Sequence, residues 1–184
     1  MNPHARRAIL TALAIGTLHA TLAPRMSLDE MVERSERILQ GRCLRAWTAW
    51  DAKHQFIWTH SEIQVLDSLK GGPAATVVVS EPGGAVGDEA MWIAGMPQYR
   101  PGEEVVLFLY RVPNGMWRAR GLGQGKFQVL PDGRVRADLG GVEIIDRIGA
   151  VPSGTDLRSL DGLGLADLKN RVRGLLLRPS RGDR

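Results

Sequence analysis

Few side chains in this sequence have the chemistry of a nucleophile, a base or a metal ligand. Cys43 is the single cysteine, so the chain can form no internal disulfide. It falls in the apolar register of a predicted strand, where a free cysteine usually behaves as a small buried hydrophobe, whereas a nucleophile would need a histidine and an orienting group nearby. His54 and His60 lie six residues apart without an HExxH pattern, which argues against a zinc site. We therefore predict an inert thiol and no metal centre.

The acidic pairs and the glycine-rich stretch also lack the context that catalysis requires. Glu103 and Glu104 are neighbours in a strand, so their carboxylates point to opposite faces. Asp88 and Glu89 lack the periodic oxygen ligands of a calcium loop. The stretch 121–125 (GLGQG) runs into a strand instead of the helix N-terminus that a phosphate-binding loop needs, so we interpret it as a bend in a strand. The sequence therefore predicts a protein that is not an enzyme and uses no cofactor.

The candidate binding residues lie in the segment 83–101, which shows no clear hydrophobic periodicity. Long connections in compact domains are often functional loops, and aromatic residues and methionine are enriched at interfaces. These preferences single out Trp92, Met96 and Tyr99 as candidate binding residues. The alternative, which we favour from composition, is that the apolar residues of this segment fold over one end of a β-barrel and complete its core.

An antiparallel pair over residues 99–129 organises the rest of the chain. Pro101-Gly102 opens it, residues 105–110 (VVLFLY) form an apolar run, and Pro113-Asn114-Gly115 turns the chain. A run that is apolar on both faces belongs in the middle of a sheet or inside a closed barrel. Further strands are predicted by alternation and turn residues over these ranges: 38–50, 56–66, 76–80, 127–130 and 134–137.

Two helices are predicted at the ends of this β region. Ser27 and Glu30 form a capping box that predicts a helix over Leu28–Arg34, which could plug an open end of the sheet. Near the C-terminus, residues 160–177 carry an apolar stripe opposite basic residues. Such a helix either packs on the domain, which we favour, or lies on an anionic membrane.

The N-terminal 23 residues have the pattern of a secretory signal peptide. Arg6 and Arg7 precede an apolar run that is too short for a membrane span, and Ala20 and Ala23 offer cleavage points. We take the mature chain to begin near Pro24, which leaves 161 residues (184 − 23) in one domain. We expect the protein to be exported to the periplasm or the extracellular space, with no transmembrane span in the mature chain.

The charge distribution argues against a nucleic-acid partner. The last 16 residues carry six basic side chains against one acidic side chain, whereas residues 24–168 carry a net charge of −3. A nucleic-acid-binding protein needs a basic face to meet the phosphates. The folded region offers no obvious face of this kind, so the pI near 9.7 reflects mainly the tail.

The order of several segments resembles a family of exported bacterial proteins of unassigned function. The segments are SLDEMVERSE, RILQGRCLRAW, VLDSLKG, VVVSEPGG, AGMPQYRPGEEVVLFL and GLGQGKFQV, which together cover most of residues 27–130. The first strand and the later LKG turn are also similar, more distantly, to the OB barrel of netrin-like domains and metalloproteinase inhibitors. That second likeness implies a small five-stranded barrel that binds a secreted protease. Those inhibitors hold the protease zinc through an N-terminal cysteine fixed by disulfides, whereas Cys43 lies inside a strand, so their mechanism does not carry over.

The sequence therefore predicts a mainly β protein, an OB-like antiparallel (Greek-key) barrel with a short N-terminal helix and a C-terminal amphipathic helix. Its expected parts are a signal peptide (1–23), a barrel domain (24–160) and a C-terminal helix with a basic tail (161–184). Its expected function is that of a non-enzymatic exported binding module whose partner is another exported protein. The alternative is an inhibitor or partner of a secreted metalloprotease.

Overall fold

The fold is mainly β, as the sequence predicts. The computed structural model describes residues 21–138, 142–145 and 154–178, so most of the predicted signal peptide and the end of the basic tail lie outside the described residues. The described strands and helices are β1 (Thr21–Pro24), α1 (Leu28–Arg34), β2 (Arg37–Trp50), β3 (Ile57–Lys70), β4 (Thr76–Pro82), β5 (Gly84–Val86), β6 (Glu89–Met91), β7 (Glu104–Arg111), β8 (Trp117–Ala119), β9 (Lys126–Val129), β10 (Val135–Ala137), β11 (Val142–Ile145) and α2 (Leu165–Leu176).

Five of these strands form a closed ring within a seven-stranded sheet. The ring runs β7-β2-β3-β4-β8 and closes where β8 pairs with β7. All of its pairings are antiparallel except β4 with β8, which run parallel where Val79 meets Trp117. Strands β9 and β10 extend the sheet beyond β7, and they form the hairpin that the sequence predicts at Asp132-Gly133. Closing the ring satisfies strand edges that an open sheet would leave unpaired.

Strand β7 contributes buried side chains to two hydrophobic cores, which explains why its sequence is apolar on both faces. Side chains alternate between the two faces of a strand. Leu107 faces the interior of the ring and Phe108 faces outward, yet both are fully buried. The ring core consists of Leu39, Cys43, Ile63, Val77, Val79, Tyr99, Val105, Leu107 and Leu109. The helix core, on the outer face, consists of Met26, Leu28, Met31, Val32, Ile38, Val106, Phe108, Phe127, Val135, Leu157, Leu160, Leu168 and Val172.

Helix α1 begins at the predicted capping box but does not plug an end of the ring. Ser27 Oγ accepts a hydrogen bond from Glu30 N at 3.2 Å, and the Glu30 carboxylate accepts one from Ser27 N at 3.1 Å. At the other end, Lys70 Nζ donates to the carbonyls of Val32 (2.7 Å) and Glu33 (3.1 Å), which suits the negative end of the helix dipole. The helix lies on the outer face of the sheet because its apolar side is part of the helix core.

Helix α2 packs on the same outer face. Leu168 and Val172 of its apolar stripe are fully buried. Its basic face is held by Asp67 of β3, whose carboxylate lies 2.6 Å from Lys169 Nζ and 2.9 Å from Arg173 Nη2. The hydrogen bond from Lys169 is the largest effect that lowers the pKa of Asp67. The apolar stripe of this helix therefore packs on the domain, as we expect from the sequence.

Strand β1 includes the predicted end of the signal peptide. Residues Thr21–Pro24 pair in parallel with Val142–Ile145, and Ala23 is buried. The side-chain amide of Gln124 hydrogen-bonds to the end of β1 and the residues after it. It accepts a hydrogen bond from Met26 N (3.1 Å) and donates one to the Pro24 carbonyl (3.1 Å). The expected boundary at Ala23 therefore lies inside a paired strand.

The glycine-rich stretch 121–125 is a single 3-10 turn between β8 and β9, not a bend within one strand. Its glycines allow backbone segments to approach closely. A Cβ on Gly125 would lie 2.4 Å from the carbonyl oxygen of Arg120, and a Cβ on Gly123 would lie 2.2 Å from that of Asp138. These contacts leave no room for a side chain at either position.

Candidate functional site

The segment 83–101 follows β4 and contacts the rest of the fold at two points. It begins with the hairpin β5–β6, in which Gly84 pairs with Met91. Gly84 has a φ of +127°, and a Cβ there would lie 2.6 Å from Thr48 Cγ2, so the hairpin contacts β2 directly. Further along, the carbonyl of Gly95 accepts a hydrogen bond from Gly123 N at 3.0 Å. These contacts attach the segment, which we call the covering segment or the cover, to β2 and to the 3-10 turn.

A cavity of about 220 Å³ lies between this cover and the ring. We call it the loop cavity. Its lining combines the end of β4, one residue of β3 and much of the covering segment: Thr59, Glu81, Pro82, Gly83, Gly84, Met91, Trp92, Ile93, Met96, Pro97, Gln98 and Tyr99. The lining is mainly apolar, and its polar groups are few, which is typical of a small-ligand site.

The three binding residues predicted from the sequence all line the loop cavity, but they differ in burial. Trp92 is 78% exposed, Met96 is half-buried, and Tyr99 is only 6% exposed and belongs to the ring core. The core interpretation therefore describes Tyr99, whereas the predicted binding role of the three residues stays a prediction. Tyr99 completes the core, whereas Trp92 stands at the surface beside the cavity.

Glu81 is the residue of this site that the sequence analysis missed. It lies on β4 and is 3% exposed. One carboxylate oxygen accepts a hydrogen bond from Ala119 N at 2.7 Å, and the other accepts from Arg118 Nε at 3.1 Å. The alternation of β4 could have revealed it, because position 81 shares the inward face of Val77 and Val79.

Burial is the largest effect on the pKa of the Glu81 carboxyl group. Desolvation raises the pKa of its carboxyl group from 4.5 to about 7, against the opposing effects of the Ala119 N–H and the Arg118 guanidinium. A carboxyl group with such a pKa beside a cavity is a typical mark of a functional site.

Arg118 connects this buried carboxylate to the cover. Its Nη2 lies 3.6 Å from Met96 Sδ, and its guanidinium carbon lies 5.9 Å from the centroid of the Trp58 ring. The guanidinium is therefore bounded by a carboxylate, a thioether and an aromatic ring. These contacts fix Met96 at the wall of the cavity.

The Tyr99 hydroxyl has no hydrogen-bond partner among the described residues, although its oxygen is buried. Desolvation, with the nearby Glu81 as the next cause, raises its pKa well above 10, so the hydroxyl stays protonated. Its ring lies 5.2 Å from Lys126 Nζ, which forms a buried ion pair with Glu103 at 2.8 Å. Buried polar atoms are nearly always satisfied, so this hydroxyl is an exception that requires an explanation.

The cysteine and the two histidines described lie away from the cavity. Cys43 is 1% exposed inside the ring, and desolvation raises the pKa of its thiol, which disfavours the reactive thiolate. His60 stacks on Trp47 with ring centroids 5.4 Å apart on the outer face of the ring, and desolvation lowers its pKa. The part of the chain that the structure describes contains no group of three or more His, Cys, Asp or Glu side chains that could hold a metal ion.

No protein-family model matches the chain, and no curated protein matches it. Within the described ranges, no helix has the length and apolar character needed to cross a membrane.

Proposed function

We propose that this protein is a non-enzymatic binding module and that the loop cavity is its ligand site. The observation that carries the proposal is the exposure of Trp92 beside a formed cavity that the buried residues Glu81 and Tyr99 also line. Exposed aromatic side chains next to preorganised polar groups are typical of recognition sites.

The strand order supports an OB-like barrel as the scaffold. The first three strands of the ring, β2, β3 and β4, form an antiparallel meander. The fourth, β7, returns to pair with the first, and the fifth, β8, lies between the third and the fourth. A five-stranded Greek-key barrel of this kind is a common carrier of ligand sites on its face and connecting loops.

The composition of the cavity lining favours binding over catalysis. Its titratable side chains, among the described residues, are Glu81 and Tyr99. Both oxygens of Glu81 already accept hydrogen bonds, and the hydroxyl of Tyr99 stays protonated. General acid–base catalysis needs a side chain that is free to exchange a proton with a substrate, which these two side chains do not provide.

We further propose that the partner is another exported protein, because the N-terminal pattern favours export to the periplasm or the extracellular space. A secreted metalloprotease is the alternative kind of partner. Cys43 could not serve as its zinc ligand, since the thiol is buried in the ring core.

Affinity capture with matched tryptophan variants tests this function. Trp92→Ala removes the exposed aromatic group beside the cavity, whereas Trp47→Ala removes one that is 38% exposed on the outer face of the ring. We expect a partner from envelope or culture-supernatant fractions to be retained by the wild type and by Trp47→Ala, and bound at least about tenfold more weakly by Trp92→Ala. Circular dichroism establishes that both variants are folded.

Equal retention by all three proteins would show that the partner binds elsewhere and would overturn the proposal for this site. Inhibition of a captured metalloprotease by the wild type, lost in Trp92→Ala, would favour the alternative partner.

A further inference from the structure

We infer that the free edge of strand β2 pairs with the same edge of a second copy of this chain, so that the two copies form an antiparallel dimer. The edge consists of residues 44–50 (LRAWTAW), and we call it the open edge. The inference goes beyond the loop cavity and does not depend on the function proposed for it.

The open edge has a neighbouring strand on one side only. Strand β2 pairs with β3 from Ile38 to Trp50, whereas its pairing with β7 runs only from Arg37 to Arg42. Next to that pairing, the Cys43 carbonyl accepts a hydrogen bond from Gly102 N at 2.8 Å. Within the described ranges, no strand other than β7 pairs with this side of β2. The sheet therefore has a vacant strand position beside the open edge, in line with β7.

The backbone groups of the open edge point alternately to β3 and to this vacant position. Asp51 N donates to Phe56 O across the β2–β3 pair at 2.8 Å, so the polar backbone groups of Asp51 face β3. Because successive residues of a strand direct these groups to opposite sides, those of Trp50, Thr48 and Ala46 face the vacant position. Such a row of backbone N–H and C=O groups is a template for another strand.

The side chains of the open edge do little to prevent strand addition. Residues 44–48 are all exposed, including Leu44 at 47% and Trp47 at 38%. Edge strands that stay unpaired are commonly protected by several charges or by proline. Arg45 is the single charged residue of the open edge, and proline is absent from it. This composition favours a partner strand.

One register of self-pairing uses all three outward-facing residues. When a twofold axis passes beside Thr48, the two copies of Thr48 oppose each other, and Ala46 opposes the partner's Trp50. Each of these positions is then a hydrogen-bonded pair that exchanges two N–H···O bonds. Every other register pairs fewer of the three residues with one another. The contact is isologous, so it closes a dimer and leaves no further open edge of this kind.

The same register brings complementary side chains together. It places Arg45 opposite the partner's Asp51, and opposite charges that face each other across strands stabilise the pair. The Arg45 side chain is 69% exposed while it pairs with Glu62 at 2.6 Å, so its guanidinium can also meet a second carboxylate. Trp47 lies opposite the partner's Ala49, so the large rings of the two copies face small side chains. Twofold symmetry repeats each of these contacts.

Sedimentation equilibrium of the mature protein tests the dimer. The open edge spans roughly 23 Å at ~3.3 Å per residue, and two paired edges form a contact smaller than a standard protein interface. We therefore expect a monomer–dimer equilibrium with a Kd of roughly 100 µM.

Two charge variants test the register. Arg45→Glu and Asp51→Lys each place like charges opposite each other at both symmetric contacts, so we expect each variant alone to raise the Kd at least about tenfold. In an equimolar mixture, a copy with one substitution faces a copy with the other, and opposite charges meet at both contacts. The mixture should therefore regain dimers with a Kd within about threefold of the wild-type value.

Two further variants provide the controls. Arg136→Glu makes the same change of charge at an exposed position of β10, away from the open edge, and should leave the Kd unchanged. Ala46→Pro removes one outward-facing N–H at a position where an edge strand tolerates proline. We expect it to abolish the dimer while its circular-dichroism spectrum stays that of the wild type.

Three outcomes would overturn the inference. The first is a wild type that stays monomeric at about ten times the expected Kd. The second is a dimer whose Kd is the same in every variant, which would show that the copies meet elsewhere. The third is a mixture of the two charge variants that stays monomeric. If the wild type is monomeric and Ala46→Pro weakens retention of a captured partner, the open edge instead receives an extended strand of that partner.

Discussion

At the scale of single residues, Glu81 shows how burial can outweigh a salt bridge. Its partner Arg118 is close, at 3.1 Å, and a backbone N–H also donates to it. The pKa of the carboxyl group is nevertheless raised to about 7, because removal from water disfavours the charged form more than these partners favour it. The protein therefore holds this carboxylate at a cost to its stability near neutral pH.

The pH dependence of unfolding should reveal that cost. Since the pKa of Glu81 is higher in the folded state, its contribution to stability is full below about pH 4.5 and is lost as the pH rises through about 7. At 1.36 kcal/mol per pKa unit, the loss is roughly 3 kcal/mol at most. Glu81→Gln keeps an oxygen for Ala119 N and does not titrate. We expect the free energy of unfolding of the wild type, measured in urea relative to this variant, to fall between pH 4.5 and 8.

Parallel stability curves for the two proteins would contradict the expectation and would mean that Glu81 titrates alike in the folded and unfolded chain. A relative stability that rises with pH would mean that Arg118 controls the carboxyl group instead of burial.

At the scale of elements, strand β1 links the fold to the processing of the chain. Its parallel pairing with β11 and the burial of Ala23 exist only while Thr21–Pro24 remain attached. Cleavage after Ala23, as the sequence suggests, would remove three of the four residues of this strand. Cleavage after Ala20, the other small residue of the region, would retain all of them.

We therefore predict that the exported protein begins at Thr21. Intact-mass measurement of protein purified from the periplasm or the culture medium distinguishes this terminus from Pro24, because the two products differ by three residues. A mass that begins at Pro24 would show that the β1–β11 pair is not part of the mature protein. An unprocessed cytoplasmic chain would contradict export itself.

At the scale of the whole molecule, the ring core and the helix core are joined through the strands that they share. Leu107 and Phe108 are consecutive in β7, and each is fully buried in a different core. Helix α2 is also fastened to β3 through Asp67. Loss of either core would expose one face of β7, so the two cores should not unfold separately.

Calorimetry should accordingly show one two-state transition, with a calorimetric enthalpy equal to the van't Hoff enthalpy. Leu107→Ala and Phe108→Ala should each lower the free energy of unfolding by about 2–5 kcal/mol without splitting the transition. Two resolved transitions, with the helical signal lost first in Phe108→Ala, would show that the cores are independent.

The sequence by itself determined the local structure and the sidedness of most elements. The alternation and turn residues predict β2, β3, β4 and the β9–β10 hairpin, and the capping box predicts the range of α1. The apolar run of β7 predicts burial on both faces, which the two cores confirm. Composition also singled out Trp92, Met96 and Tyr99, which line one cavity. These features depend on residues that are close together in the sequence, so their spacing can be observed without the tertiary structure.

Only the tertiary structure decided how the ring closes and which polar groups meet at the cavity. The contact of Val79 with Trp117 joins segments 38 residues apart, and the same closure brings Arg118 and Ala119 N onto Glu81. The free energy of closing a loop varies only slowly with its length, so the sequence distance between strands does not reveal which ones pair. The separate roles of Tyr99 in the core and Trp92 at the surface depend on that pairing, because burial is set by what the rest of the chain places against each side chain.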